Sequence, residues 1–204
     1  MVIKDFIMKR MLLISIFILI GVMSSTSCDK INRKLKAGSM EIGDKVDSLN
    51  GVFVYYNNTV SNVSGRNTTE DGYNLGLKYQ CVEFVKRYYY EHLNHKMPNS
   101  YGHAKDFFVN GLSDGNLVKH RNLHQYTNPS NSKPKPNDLL VYDGTTFNKY
   151  GHVAIVSKVT EDEVEIIQQN PGPFKSSRES YKLIQNNSKW EIDHHKVLGW
   201  LRKN

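Results

Sequence analysis

Apolar residues recur with helical spacing after residue 81 and form the clearest helix pattern in the chain. Four of them fall at positions i, i+3, i+7 and i+11 and share one face of a helix with 3.6 residues per turn: Val82, Val85, Tyr89 and Leu93. The charged side chains between them lie mostly off this stripe. The pattern predicts an amphipathic helix from Cys81 to about residue 94, with a cysteine in its first turn.

Short apolar runs bounded by turn residues replace the helical period in the second half of the chain. They predict strands over residues 138–142, 151–159, 164–169, 181–185, 189–193 and 197–202, and an earlier run predicts one over residues 52–56. The Asn-, Ser- and Gly-rich residues 57–74 and the Pro-interrupted residues 113–135 are typical of loops, and residues 101–108 predict a second, shorter helix. Helices followed by a meandering antiparallel sheet predict an α+β fold.

The first 28 residues have the layout of an export signal. Lys9 and Arg10 precede an apolar run over residues 11–23, and small residues follow it up to Cys28. A cysteine directly after small residues resembles the bacterial lipoprotein signal, and this resemblance implies that Cys28 carries a lipid anchor. Ser25 stands where such signals usually have Leu, so ordinary cleavage nearby and an uncleaved anchor remain alternatives.

These patterns divide the chain into three segments. Residues 1–28 are predicted to be the signal, residues 29–48 a polar, flexible tether, and residues 49–204 one domain large enough to bury a core. The two cysteines, Cys28 and Cys81, invite a disulfide in an exported protein. Each has a separate explanation, however, so we expect no bridge between them.

The charge of the chain bears on its partners. A net charge of +7 suits contact with anionic surfaces such as cell-wall polymer or lipid headgroups. The Lys and Arg residues are scattered and no basic–aromatic motif is present, so we expect no nucleic-acid partner. The adjacent His194 and His195 would face opposite ways on a strand and have no evident third ligand. We therefore expect no metal site and no cofactor.

A cysteine at a helix start has the environment of a nucleophile. The backbone N–H groups and the helix dipole there favour the thiolate, and His152, about 70 positions downstream on a predicted strand, could serve as base and proton donor. Gln168 and Asn170 share one face of the next predicted strand, so either could orient the imidazole. The backbone N–H of Cys81 and the side chain of Gln80 are the candidate oxyanion donors. On spacing alone, a buried structural cysteine and a structural histidine remain alternatives.

Four ordered motifs resemble the CHAP family, the cysteine- and histidine-dependent amidohydrolases/peptidases. They are QCVEF at 80–84, KPNDLLV at 135–141, GHVAIV at 151–156 and QQN at 168–170. The resemblance runs from about residue 52 to the end, and the stretch 80–87 is most similar to the amidase domain of glutathionylspermidine synthetase/amidase. It implies a papain-like fold of the CHAP/NlpC-P60 kind, in which an N-terminal catalytic helix packs on a C-terminal antiparallel sheet.

The same resemblance assigns roles to individual residues. It implies that Cys81 is the nucleophile, His152 the general base, and Asn170 the polar residue that closes the family's Glu-Gln-Asn run. Gln168 stands where many members carry Glu, and we expect Gln168→Glu to retain or raise turnover. Asn137 stands where many members carry Gly, a change that Asn tolerates because it also adopts the left-handed conformation.

The predicted function follows from the site and the signal together. We expect an exported cysteine amidohydrolase or peptidase that cleaves an amide bond in cell-wall peptidoglycan and is held to a bacterial membrane by a lipid at Cys28. An alternative is an amidase acting on a glutathionylspermidine-like conjugate or a secreted peptide. A further alternative is a non-catalytic wall-binding module whose site has decayed, which the presence of Gln168 motivates.

Overall fold

The structure, a computed structural model, describes residues 39–172 and 175–204, and these form one α-helix, one short 3-10 helix and twelve strands. The helix α1 spans Cys81–Glu91 and the 3-10 helix spans Lys105–Phe107. The strands are β1 Lys45–Leu49, β2 Val52–Tyr55, β3 Arg66–Thr68, β4 Asn74–Leu77, β5 Asn116–Val118, β6 Leu123–Thr127, β7 Leu139–Tyr142, β8 His152–Val159, β9 Glu163–Ile167, β10 Arg178–Asn186, β11 Lys189–Ile192 and β12 Val197–Arg202. No helix in this part of the chain has the length and apolar character needed to cross a membrane.

Eight strands form one antiparallel sheet in the order β11-β10-β9-β8-β7-β12-β6-β5. The predicted strands β7 to β12 all lie in it, which confirms a large antiparallel sheet. The strands β1 and β2 form a separate hairpin, as do β3 and β4. A large antiparallel sheet preceded by the amphipathic helix at Cys81 agrees with the α+β architecture that the sequence predicts.

The alternation of side chains along β7 and β8 divides the core into two clusters. Leu139 and Val141 belong to the cluster that contains the buried side chains of α1, whereas Leu140 and Tyr142 belong to a second cluster. Successive residues of a strand point to opposite faces of a sheet, so both faces of β7 are covered. This is why β7 is a continuous apolar run rather than an alternating one. The helix packs against β8, β4 and β2.

Three local predictions differ from the structure. The region 113–135, predicted to be a loop, contains β5 and β6. The prediction missed β6 because Gln125, a polar residue, faces inward there and interrupts the strand pattern. The Gln125 amide is satisfied there by the backbone N–H and C=O of Val109, at 2.7 and 2.9 Å. Residues 66–68, in the other predicted loop, form β3, and the predicted second helix is reduced to the 3-10 turn at Lys105–Phe107.

The N-terminal boundary also differs from the composition-based one. The strand β1 begins at Lys45 and pairs with β2, so the last residues of the segment predicted as a tether are part of a hairpin. The compact unit that contains the sheet begins at Glu41. The predicted signal and the predicted lipid site at Cys28 lie outside the described residues.

Candidate active site

Cys81 is the first residue of α1, and the residue before it does not cap the helix with its side chain. Gln80 has an extended backbone with φ −82° and ψ 160°, and its carbonyl accepts the first helical hydrogen bond from Phe84 at 3.3 Å. No side-chain oxygen of Gln80 bonds the N–H groups of the first turn. A helix start leaves such donors without intrahelical partners. The nucleophile candidate therefore lies among backbone donors that no side-chain cap occupies.

Cys81 is almost fully buried, with a relative exposure of 9% for the residue. Backbone hydrogen bonds from Val153 and Val82 favour its thiolate, yet burial outweighs them and raises the pKa of the thiol to about 11. The sequence-based expectation of a lowered pKa is therefore not met in this state. The helix start contributes as expected, but the loss of water around the sulfur is the larger effect.

The sulfur lies beside the strand that carries the histidine candidate. It contacts the backbone of Val153, the residue that follows His152 on β8. Among the described contacts no hydrogen bond joins the sulfur directly to the imidazole. Catalytic hydrogen bonds are often long without substrate and tighten when it binds. The structure thus brings Cys81 and His152 to neighbouring positions without forming the ion pair.

Gln168 holds the imidazole of His152 in a defined orientation. Its Oε1 lies 2.9 Å from Nε2 of His152, and its amide nitrogen donates to the carbonyl of Ser176 at 3.1 Å. Because the nitrogen end has an oxygen acceptor, the oxygen end faces the ring, and Nε2 carries the ring proton. The other nitrogen, Nδ1, is then free of a proton and can act as a base. This confirms that Gln168 can reach the ring.

Burial also controls the charge of His152. It lowers the pKa of the imidazole to about 4, and the hydrogen bond with Gln168 only partly opposes this. Together with the raised pKa of the Cys81 thiol, this makes both partners neutral near pH 7. The resting pair is therefore a thiol and an imidazole. For the sulfur to attack as a thiolate, a proton would have to pass from it to the imidazole.

Asn170 does not reach the imidazole, contrary to one of the two sequence-based alternatives. Its amide nitrogen donates to Oε1 of Gln80 at 2.8 Å and to the carbonyl of Val60 at 3.0 Å. The alternation that placed Asn170 beside Gln168 fails because β9 ends at Ile167 and Asn170 has a left-handed backbone, with φ 57°. Asn170 therefore acts on the residue before the nucleophile.

The side chain of Gln80 is already engaged at both ends. Its amide nitrogen donates to the carbonyl of Asn62 at 2.6 Å and to that of Val60 at 3.1 Å, and its oxygen accepts from Asn170. An oxyanion would have to displace one of these carbonyls to gain a hydrogen bond from Gln80. Of the two candidate donors, the backbone N–H of Cys81 is the one that the geometry favours.

Sequence reasoning missed Gln169, which is completely buried beneath the helix start. Its amide nitrogen donates to the Gln80 carbonyl at 3.1 Å and to Oε2 of Glu83 at 2.8 Å, while its oxygen accepts from the Tyr55 backbone at 2.8 Å. Glu83 also pairs with Arg87 at 2.6 Å, and both side chains are buried. The sequence pattern predicts both charged side chains off the apolar stripe of the helix, but in the structure they point toward the interior. Through Gln169 they connect α1 to the segment that follows β9.

The backbone at Gly151, directly before His152, leaves no room for a side chain. It has φ 76°, and a Cβ at this position would lie 2.5 Å from the carbonyl oxygen of Tyr142, the residue paired with His152. A side chain would therefore displace the start of β8 and the imidazole with it. Asn137 has φ 76° as well, which confirms that it takes the left-handed conformation expected there.

Comparison with known proteins agrees with the motif-based resemblance. Residues 70–170 match the model of the CHAP domain. The chain is 28% identical over 178 residues to a trypanothione synthetase of Crithidia fasciculata, which covers 81% of this chain and 27% of that protein. It is 29% identical over 151 residues to the bifunctional glutathionylspermidine synthetase/amidase of Escherichia coli (strain K12), which covers 67% of this chain and 23% of that protein.

These likenesses are partial in extent. The chain spans about a quarter of the length of the two curated relatives, 27% and 23%. The crystal structure of Ly7917 with the hydrolyzing product of MDP is 28% identical, over 36% of this chain and 29% of that chain, with a TM-score of 0.26. The family match, by contrast, contains the helix start and both strand ends that form the site. Residues 70–170, which hold Cys81, His152, Gln168 and Asn170, are therefore a CHAP domain.

Proposed function

We propose that this chain is an exported cysteine amidohydrolase in which Cys81 is the nucleophile and His152 the general base. The observation that carries the proposal is the hydrogen bond from Nε2 of His152 to Gln168 at 2.9 Å, which leaves Nδ1 unprotonated on the strand beside the thiol. A helix start against the end of an antiparallel sheet is the papain-like arrangement that the family resemblance implies. An imidazole oriented by a side-chain amide can serve this chemistry.

In the first step, Nδ1 of His152 takes the proton of the Cys81 thiol as the sulfur attacks the carbonyl carbon of the amide. The carbonyl electrons move to oxygen, and the backbone N–H of Cys81 donates to the resulting oxyanion. The tetrahedral intermediate collapses when the imidazolium gives its proton to the departing nitrogen. The C–N bond breaks, the amine leaves, and an acyl thioester remains on Cys81.

In the second step, water completes the hydrolysis. His152 removes a proton from water as its oxygen attacks the thioester carbonyl, and the C–S bond breaks when the intermediate collapses. The imidazolium returns its proton to the sulfur. The acid product leaves, and both residues regain the neutral state that burial favours.

Peptidoglycan is the substrate we propose, because of the predicted location of the enzyme. The signal-like residues 1–28, with Cys28 as the proposed lipid site, would place the domain outside the cytoplasmic membrane, where murein amides are found. The net charge of +7 suits an anionic wall polymer. Replacing Cys28 with Ala should abolish incorporation of labelled fatty acid if this cysteine is lipidated, and unchanged incorporation would remove the anchor from the proposal.

A second substrate class has its own support. The relatives include a bifunctional glutathionylspermidine synthetase/amidase and a trypanothione synthetase, so a glutathionylspermidine-like conjugate is the alternative substrate. Both substrate classes present an amide to the same nucleophile. They differ in the acyl and amine groups on either side of the bond.

One experiment tests the reaction and separates the substrates. The full-length chain is incubated with purified muropeptides and, separately, with glutathionylspermidine, and the products are identified by mass spectrometry. Wild type should release product from muropeptides, whereas Cys81→Ala and His152→Ala should not. His92→Ala is the matched control, because His92 is exposed at the other end of α1 and should retain wild-type turnover.

The remaining outcomes are equally informative. Release from glutathionylspermidine alone would replace the murein proposal with the conjugate amidase. No release from either substrate above the Cys81→Ala background would favour the non-catalytic wall-binding module.

A further inference from the structure

The amide nitrogen of Gln168 has a second oxygen partner beyond Ser176. Nε2 of Gln168 lies 3.4 Å from Oε2 of Glu179, on the neighbouring strand β10. Glu179 pairs with Ile166, and Gln168 lies two positions after Ile166. The side chains of Glu179 and Gln168 therefore belong on the same face of the sheet. The three side chains form a continuous line from the imidazole of His152 through the amide to a carboxylate.

We propose that Glu179 is a positioning residue, which holds the Gln168 amide with its oxygen toward His152 and supplies through it the negative charge that Gln168 lacks. This inference rests on the proposed function, since it concerns the same imidazole. With the Ser176 carbonyl and the Glu179 carboxylate on its nitrogen side, the amide cannot rotate without directing its oxygen at two other oxygens. Glu179 therefore holds the proton on Nε2 of His152 indirectly, through the Gln168 amide.

The same contacts explain why glutamine is suitable at this position. A glutamate at 168 would direct a carboxylate oxygen at the Ser176 carbonyl and at the Glu179 carboxylate, where the present side chain donates hydrogen bonds. Like charges so close oppose ionisation of both groups. The contacts thus argue against the sequence-based expectation that Gln168→Glu retains or raises turnover. In this arrangement Gln168 is matched to Glu179 and is not a sign of decay.

The other groups around His152 are few enough to separate by mutation. The positive charge of Lys175 lowers the pKa of His152, and the negative charge of Glu179 raises the pKa of His152. Tyr142 on β7 contacts the ring of His152, and Tyr181 and His194 contact Tyr142 in turn. Cys81, on α1, contacts the neighbouring residue Val153. Because Glu179 is the carboxylate of this set, removal of its charge isolates the proposed effect.

Three variants test the proposal on the full-length chain: Glu179→Gln, Gln168→Glu, and the double variant in which the two residues are exchanged. Glu179→Gln keeps an acceptor for the Gln168 amide but removes the charge, and should lower kcat about twofold to fivefold, the size expected of a partly solvated charge pair. Gln168→Glu alone should lower kcat at least about tenfold. The exchanged pair should recover to within about threefold of wild type, since the amide introduced on β10 can donate to the new carboxylate.

Glu191→Gln is the matched control, because Glu191 is an exposed strand carboxylate on β11 paired with Ile184. It should leave kcat unchanged. Equal kcat for wild type and Glu179→Gln, or an exchanged pair no better than Gln168→Glu alone, would overturn the proposal. Thermal melting of each variant distinguishes loss of fold from loss of rate.

A measurement without substrate separates this inference from the proposed function. The His152 imidazole is titrated by NMR in chains labelled with 15N-histidine, and its signal is identified by its absence in His152→Gln. Glu179→Gln should lower the pKa of His152 by about 0.3 to 0.7 pH units relative to wild type and to Glu191→Gln. An unchanged titration refutes the role of Glu179 even in an active enzyme. A lowered pKa in a chain that hydrolyses neither substrate supports the role of Glu179 and refutes only the proposed reaction.

Discussion

The amide nitrogen of Asn170 donates to Oε1 of Gln80 at 2.8 Å and so joins the end of strand β9 to the residue before the nucleophile candidate. The same nitrogen donates to the carbonyl of Val60, which also accepts from Gln80. Asn170 therefore fixes the entry of the chain into α1, while Gln168 orients the imidazole. Two residues of one short motif act on the two partners of the proposed reaction.

This division of roles predicts a specific effect of removing the Asn170 side chain. Asn170→Gly keeps the left-handed backbone at φ 57° but releases Gln80, so kcat should fall about tenfold or more while stability changes little. Asn170→Ala should lose kcat to a similar degree and should also lose about 1 kcal/mol of unfolding free energy, because alanine is strained in that conformation. Steady-state kinetics and urea unfolding measure the two quantities separately.

Comparison of the two variants provides the control. If Asn170→Gly retains wild-type kcat, the contact with Gln80 has no part in catalysis. If Asn170→Ala and Asn170→Gly are equally stable, the left-handed backbone is not the source of the stability difference.

Burial of the thiol predicts how Cys81 reacts with an alkylating reagent. Because burial raises its pKa to about 11, the rate of alkylation by iodoacetamide should still increase at pH 9, where an ordinary cysteine with a pKa of about 8.5 is mostly thiolate. A rate that levels off below pH 8 would show a preformed thiolate–imidazolium pair. Cys81→Ala serves as the blank, since it removes the sulfur that mass spectrometry locates.

Burial of the imidazole predicts a dependence of stability on pH. The pKa of His152 is lowered to about 4 in the folded chain, whereas an unfolded histidine has about 6.5. The unfolded state therefore binds the extra proton first, so this stabilisation is complete above about pH 6.5 and is lost as the pH falls toward 4. Wild type should lose on the order of 2 kcal/mol more than His152→Gln across this interval. Parallel stability curves in urea unfolding would show that His152 titrates normally in the folded chain.

Periodicity in the sequence was sufficient for the helix that begins at Cys81, for the antiparallel sheet and for the strand that carries His152, but it left Gln168 and Asn170 as equal candidates beside the imidazole. It was not sufficient where a polar side chain faces inward. Gln125 hid strand β6 because its amide is satisfied by the backbone of Val109, a partner that no local pattern reveals. Strand alternation likewise misplaced Asn170, because a single left-handed residue after β9 changes the direction of its side chain.

The charge states at the site were also beyond the sequence. The helix start and the burial of Cys81 shift the pKa of the thiol in opposite directions, and only the packed structure shows that burial is the larger effect. The partnership of Gln168 with Glu179 depends on the register between β9 and β10, which sequence spacing does not fix. Sequence spacing thus indicated that Gln168 could reach His152, but it did not reveal the burial and the charges around this pair.

The buried pair of Glu83 and Arg87 predicts a large and coupled effect on stability. Both side chains are buried, and Glu83 also accepts from Asn67 and Gln169, each at 2.8 Å. Arg87→Met would leave the carboxylate buried without its cation, so it should cost about 3 to 5 kcal/mol of unfolding free energy. Adding Glu83→Gln should cost clearly less than the sum of the two single changes, because the orphaned charge is removed.

The exposed pair of Asp71 and Lys96 supplies the comparison for this prediction. Their side chains are 53% and 46% exposed, and an ion pair in such a position adds little to stability because water screens both charges. Lys96→Met should therefore change the urea midpoint only slightly, whereas Arg87→Met should shift it strongly and weaken the attachment of α1 to Gln169. Equal losses for the two substitutions would mean that the buried network does not hold the helix start against the sheet, and that the position of Cys81 depends on apolar packing alone.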